Sequence, residues 1–274
     1  MIYSVKDAEI YYEIIGEGKP IVILHGCSID HRAMKGCMEP VFHRHPGYKR
    51  IYIDLPGMGK SNAPKWVNSS DCLIELLISC IEKIIPNETF LLAGESYGGY
   101  LSRVIVTQMP HRIHGLLLIC PVIIAEHEKR TVPDYHLINS DDLFLNSLPV
   151  EERREFCEFA VIANEYTYRR YKEEIKPGLS AANIKFIENL QKNYRSNVPI
   201  KEQKYMNPVL VLAGRQDIVV GYKDILDVVE DYPRATFAIL DMAGHNLQIE
   251  QPQLFESLVK EWLVRVSRRG EEVD

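Results

Sequence analysis

Thr89-Phe90-Leu91-Leu92-Ala93-Gly94-Glu95-Ser96-Tyr97-Gly98-Gly99 decides how this chain folds. Phe90 to Ala93 is an unbroken apolar run, and a helix-period stretch from Tyr97 to Met109 begins directly after Ser96. The string G-x-S-x-G therefore lies on a strand-to-helix turn, which is the context of a nucleophile elbow. Small residues at Gly94, Gly98 and Gly99 let neighbouring backbones approach, so the Ser96 hydroxyl is expected to project from the end of the sheet. The new helix presents its positive end there, and the free N–H of Tyr97 is the expected first donor to a developing oxyanion.

Outward from this turn, strand and helix signals alternate. Ile2 to Val5 and Glu9 to Ile15 predict an antiparallel hairpin, whereas Ile21 to Leu24, Arg50 to Asp54, Gly115 to Cys120, Val209 to Gly214 and Thr236 to Leu240 read as strands buried on both faces. Helical spacing covers Ser70 to Ile85, Tyr97 to Met109, Tyr222 to Tyr232 and Pro252 to Val266. This is the pattern of an α/β protein with a doubly wound, mostly parallel sheet flanked by helices. The alternation stops after Pro121 and resumes at Val209. The expected organisation is a core of residues 1–121 and 206–274, with 122–205 as a helical, tyrosine-rich insertion over one end of the sheet. The charged tail from Arg268 is expected to fray.

Composition narrows the classes of function. With 46% hydrophobic and 26% charged residues among 274, the chain can bury a sizeable core, which excludes a disordered protein. A net charge of −6 without a basic run lacks the footprint of nucleic-acid binding. The charged N-terminal stretch is unlike a signal peptide, and the apolar run Gly115 to Ala125, broken by Pro121, is short of the roughly 18–20 residues that span a bilayer. Cys27, Cys37, Cys72, Cys80, Cys120 and Cys157 form no C-x-x-C pair, so reduced cytoplasmic thiols are expected rather than disulfides or a zinc site.

A serine nucleophile needs a base, and the base needs a carboxylate to fix its tautomer. Asp217 follows the strand at Val209 to Gly214, and His245 follows the strand at Thr236 to Leu240, so both lie at the strand ends where α/β sheets gather their chemistry. The order Ser96, Asp217, His245 suits the elbow. Asp241 and Asp224 are competing carboxylates, the first at a strand end and the second at a helix start. Cys27, after the strand at Ile21 to Leu24, is placed to give a second oxyanion N–H. Its thiol has no base-and-carboxylate pair of its own. Gly59-Lys60-Ser61 is tempting as a phosphate loop, but Asp54 stands where that loop requires glycine. His31, His43 and His45 read as solvated loop residues, and no metal is expected.

Within the insertion, Asn164, Tyr168 and Tyr171 share one helical face at i, i+4 and i+7 spacing. That face is the expected substrate-binding surface; its alternative is packing of the cap onto itself.

The segments His25-Gly26, Asp54-Leu55-Pro56-Gly57-Met58-Gly59-Lys60-Ser61, Gly94 to Gly99, Gly214-Arg215-Gln216-Asp217, Gly244-His245-Asn246 and Glu250-Gln251-Pro252 together resemble the α/β-hydrolase superfamily over nearly the whole chain. The resemblance implies an eight-stranded sheet, a helical cap at 122–205, a Ser96, Asp217, His245 triad and no cofactor. Haloalkane dehalogenases and epoxide hydrolases carry an elbow aspartate, so Ser96 argues against both and leaves esterase, thioesterase, C–C bond hydrolase and proline iminopeptidase. The elbow is similar to that of the last group, although Tyr97 stands where tryptophan is usual; Glu165 is the cap carboxylate that would suit a peptide amine. The expectation is a serine hydrolase that cleaves a small ester or related acyl bond of a small-molecule substrate. The alternative from another class is a ligand receptor on a hydrolase fold, which turnover distinguishes.

Overall fold

The computed structural model describes residues 1–200 and 204–268. Its main sheet contains β1 (Ile2–Val5), β2 (Ala8–Ile15), β3 (Lys19–Leu24), β4 (Tyr48–Ile53), β5 (Phe90–Glu95), β6 (Ile113–Ile119), β7 (Val209–Gly214) and β8 (Ala235–Leu240). The spatial order is β1-β2-β4-β3-β5-β6-β7-β8. β1 pairs antiparallel with β2, and β2 antiparallel with β4, while every later pairing is parallel. The mostly parallel sheet expected from the alternation is therefore present, with the eight strands that the resemblance implies. After β3 the chain turns to β4 on one side and then to β5 on the other, so the strand order reverses between β3 and β5. That reversal opens a crevice at the carboxyl ends of these two strands.

Three helices follow in this half: α1 (His31–Arg44), α2 (Ser70–Ile84) and α3 (Ser96–Gln108). Asp30 caps α1 by accepting the Arg32 amide at 2.9 Å, and Ser69 caps α2 by accepting the Cys72 amide at 3.2 Å. The strands at the centre have lost their water entirely: Ile21, Val22, Leu24, Leu91, Leu92, Leu116, Leu117, Val209 and Leu210 are all buried. At roughly 1.5–3 kcal/mol for each such side chain, this apolar burial is the main force holding the sheet between its helices.

Between β6 and β7 the chain leaves the sheet and forms α4 (Asp142–Ser147), α5 (Val150–Cys157), α6 (Glu165–Arg170), α7 (Lys176–Ala181) and α8 (Ile184–Gln191). A π-helical turn over Tyr171–Ile175 joins α6 to α7. The first stretch of this insertion departs from the helical expectation, because 122–138 holds only the 3-10 turn His127–Lys129. Pro121 and Pro133 have no N–H for a helix ladder, and Arg130 Nε and Nη2 bind the carbonyls of Ile124 and Ala125 at 2.9 and 3.1 Å in place of backbone partners.

The helix expected at Tyr222 to Tyr232 is a 3-10 helix over Asp224–Asp231. Its buried apolar residues Ile225 and Val228 are three apart, which suits three residues per turn. After β8 come α9 (Leu247–Glu250) and α10 (Pro252–Arg268). α10 packs on α1, and α2 packs on α3. Trp262 anchors α10 with its ring fully buried and its Nε1–H donated to the Pro208 carbonyl at 3.1 Å. The tail past Arg268 lies outside the described residues. Among those described, no helix is long and apolar enough to cross a membrane.

Candidate active site

β5 delivers Glu95 as the N-cap of α3, and Ser96 is the first helical residue. Ser96 has φ +51°, a left-handed conformation that is costly for a residue with a Cβ and that the surrounding elbow must impose. Gly98 shows how close the elbow packs: a Cβ there would stand 2.5 Å from the His25 carbonyl oxygen.

His245 Nε2 meets Ser96 Oγ at 2.9 Å, and His245 Nδ1 meets Asp217 Oδ2 at 2.8 Å. A carboxylate only accepts, so Nδ1 carries a proton toward Asp217, and in the neutral ring the Nε2 lone pair faces the serine hydroxyl. Asp217 is fully buried, and its other oxygen accepts the amides of Val219 and Val220 at 2.8 and 3.0 Å. Burial alone would raise the Asp217 carboxyl; the His245 ring and these hydrogen bonds hold it below the usual carboxylate range. For His245, burial works downward, but the Asp217 carboxylate first and Glu95 after it raise the imidazole to about 9.

The triad opens into a cavity of about 1000 Å³ lined by Cys27, Ser96 and His245 from the core and by Phe156, Tyr171 and Tyr194 among the cap residues. Cys27 follows β3 across the crevice from Ser96. Burial pushes its thiol up, so it is a neutral group there and not a thiolate. Tyr97 keeps its main-chain N–H at the first turn of α3, while its buried ring points away and its hydroxyl meets Ser70 Oγ at 2.8 Å.

Several expected roles are corrected. Asn164 is the N-cap of α6, in a reciprocal capping box with Thr167, and does not line the cavity. Tyr168 packs edge-on against Phe144 and Phe156 and bonds Glu152, so it holds the cap together. Tyr171 alone of the three lines the cavity, although it shares with Tyr168 a contact to Phe156. Glu165 is exposed on the first turn of α6. Asp241 is exposed and accepts from Gln216, and Asp224 accepts the Thr131 amide at 3.1 Å.

His31 is not a solvated loop residue. It begins α1, is buried, and bonds Asp54 through Nδ1 at 2.8 Å. His43 is exposed in the last turn of α1, and His45 is its C-cap. Among the described residues, Asp30-His31-Asp54 and Cys120-Asp217-His245 bring potential metal donors together. In the first, Asp54 already accepts from His31 and the Lys60 amide while Asp30 pairs with Arg32; the second is the serine's own relay beside a thiol that burial keeps protonated. Neither donor set is free for an ion. The Asp54 to Ser61 loop is closed by Ser61 Oγ donating to the Asp54 carbonyl at 2.7 Å and accepting the Tyr11 amide at 2.9 Å, which accounts for these residues without a phosphate.

Two acids at the site carry no role in the sequence reading. Glu250 Oε2 accepts the Gly244 amide at 2.6 Å and Oε1 the Val161 amide at 2.7 Å, so it fastens the His245 loop to the cap. Glu95 is buried beside His245. The only sequence signals for them are their places within Glu250-Gln251-Pro252 and within the elbow string.

Residues 19–252 match the family model described as the alpha/beta hydrolase fold. The alpha/beta superfamily hydrolase of Oenococcus oeni PSU-1 superposes with a TM-score of 0.88 at 35% identity, covering 94% of this chain and 96% of that one. A pimeloyl-[acyl-carrier protein] methyl ester esterase of Legionella pneumophila is 23% identical over 257 residues, 93% of this chain and 99% of the relative. The 2-hydroxy-6-oxo-2,4-heptadienoate hydrolase of Pseudomonas putida is also 23% identical, over 91% of this chain and 90% of its own length. A methyl ester esterase and a 2-hydroxy-6-oxo-2,4-heptadienoate hydrolase thus both occur among the relatives.

Proposed function

Since the chain belongs to the α/β-hydrolase family and is a hydrolase, we propose that it cleaves a small ester or related acyl bond through an acyl-enzyme on Ser96. His245 Nε2 takes the serine proton as Ser96 Oγ bonds to the acyl carbon. Asp217 holds the ring in its reactive tautomer and stabilises the imidazolium. The main-chain N–H groups of Tyr97 and Cys27 receive the oxyanion of the tetrahedral intermediate. Collapse breaks the bond to the leaving alcohol, which departs with the proton from His245. Water then repeats the sequence on the acyl-enzyme and frees Ser96.

The observation that supports this reading most is the unbroken path from Ser96 Oγ through His245 to Asp217, at 2.9 and 2.8 Å, opening on a cavity. Cys27 as nucleophile lacks such a path. A panel of activated short-acyl esters, acyl thioesters, vinylogous diketones and aminoacyl amides tests the substrate class. The highest kcat/KM is expected on the esters. Turnover confined to the diketones or the amides overturns the ester assignment.

A further inference from the structure

Glu95 is the last residue of β5 and is only 2% exposed. Oε1 lies 3.4 Å from His245 Nε2, the nitrogen that also meets Ser96 Oγ at 2.9 Å. Oε2 has no hydrogen-bond partner among the described residues. The turn itself does not call for a carboxylate here, because Glu95 caps α3 through its main chain and makes no side-chain capping bond. An acid buried this way is costly unless a nearby charge compensates it, and the imidazole is that neighbour. The packing is built around the group: a Cβ on Gly26 would overlap Oε2.

We propose that Glu95 is a positioning residue for the reaction: from 3.4 Å its carboxyl sets the proton affinity of His245 Nε2, and with it the pH above which that nitrogen is free to take the Ser96 proton. The proposal rests on the serine-hydrolase reading above. One imidazole nitrogen has one proton or one lone pair, so Glu95 and Ser96 compete for the same site. With Nε2 protonated and Glu95 ionised, the proton faces a carboxylate and the serine has no base. Once that proton leaves to solvent, the lone pair turns to Ser96. The imidazolium formed during acylation then sits between two acids, Asp217 at Nδ1 and Glu95 at Nε2.

The surrounding charges agree with this arrangement. Burial lifts Glu95 to about 7, with His245 and, after it, the Gly26 backbone amide pulling it down and Asp217 pushing it up. Arg130 opposes the two acids at His245. The other titratable groups that sense Glu95 are the thiols of Cys27, Cys37 and Cys120, from the loop after β3, from α1 and from the end of β6. Burial keeps all three protonated, so they add no charge.

Glu95→Gln keeps the shape of the side chain and removes its charge. Because an opposite charge within about 4–6 Å shifts a titration by about 1–3 units, the acid limb of kcat/KM, normalised to its own maximum, should move to lower pH by about one unit or more. NMR titration of the His245 ring should move by the same amount without any turnover. A limb and a ring titration unchanged from wild type overturn the role of Glu95. Ser96→Ala, assayed in parallel, separates the two readings: retained hydrolysis there overturns the serine mechanism, whereas the ring titration decides Glu95 by itself. Should Glu95→Gln not fold, the wild-type ring decides. A titration in two steps, one of them the ionisation of Glu95, supports the proposal, and a single step in the ordinary imidazole range overturns it.

Discussion

Glu250 Oε1 accepts the main-chain amide of Val161 at 2.7 Å, joining the cap to the loop that carries His245. The other oxygen of Glu250 takes the Gly244 amide at 2.6 Å, one residue before His245. Glu250→Ala leaves both buried amides without an acceptor, at about 1–3 kcal/mol for each unsatisfied group. The melting temperature should fall, and kcat should fall with it as the His245 loop loses its anchor. Full stability by thermal melting in this variant removes the clasp from the description.

Asp217 and Asp241 are the two carboxylates near His245 in sequence, and they should behave in opposite ways. Asp217→Asn turns an acceptor into a group that can hold the ring in the wrong tautomer, a change worth about 10⁴ in kcat in a comparable protease triad. Asp241 is exposed, and its substitution by Asn should leave stability within about 0.5 kcal/mol and kcat within a few-fold. Steady-state kinetics on one activated ester compare the two. A larger loss in Asp241→Asn refutes the assignment of Asp217.

Asp217 and His245 together fix how stability depends on pH at this site. Asp217 is depressed in the folded state, so its contribution is present above the ordinary aspartate pKa of about 3.9 and is lost as pH falls through the folded value. His245 is raised to about 9, so its contribution is full below the ordinary histidine pKa of about 6.5 and disappears as pH rises through about 9. Chemical denaturation should show His245→Gln closing on wild type, by about 1–3 kcal/mol, between neutral pH and pH ~10. A constant difference across that window contradicts the raised imidazole.

How much of this was legible beforehand differs from residue to residue. Ser96, Asp217 and His245 sit at strand ends with glycines beside them, and a strand end is a one-dimensional signal. Helix α1 was not, because Gly36 and Pro40 interrupt His31–Arg44; Gly36 makes room for the Glu174 carboxyl of the cap, a contact no local pattern announces. His31 reads as solvated in the sequence because its partner Asp54 is 23 residues away. The cap face fails for a related reason: helical spacing groups Asn164, Tyr168 and Tyr171, but Asn164 caps α6 and Tyr168 packs between Phe144 and Phe156, contacts that the spacing does not encode. Glu95 and Glu250 act through contacts with other segments, which composition and period do not encode.

Tyr168 and Tyr171 should separate packing from selection. Tyr168→Phe loses the hydroxyl bond to Glu152 and should lower kcat/KM equally on short and long acyl esters, in step with any fall in melting temperature. Tyr171→Ala opens the cavity wall and should change the ratio of the two. A ratio that moves with Tyr168→Phe and stays fixed with Tyr171→Ala reverses their places.

The most direct measurement is the site of covalent capture. An organophosphonate loses its leaving group to an activated serine and stays bound as one added mass, and digestion followed by mass spectrometry locates it. The label is expected on the peptide containing Ser96, one per chain, with no label and no ester hydrolysis above background in Ser96→Ala. A label on Cys27, or hydrolysis that survives Ser96→Ala at the wild-type rate, contradicts a serine nucleophile at the elbow.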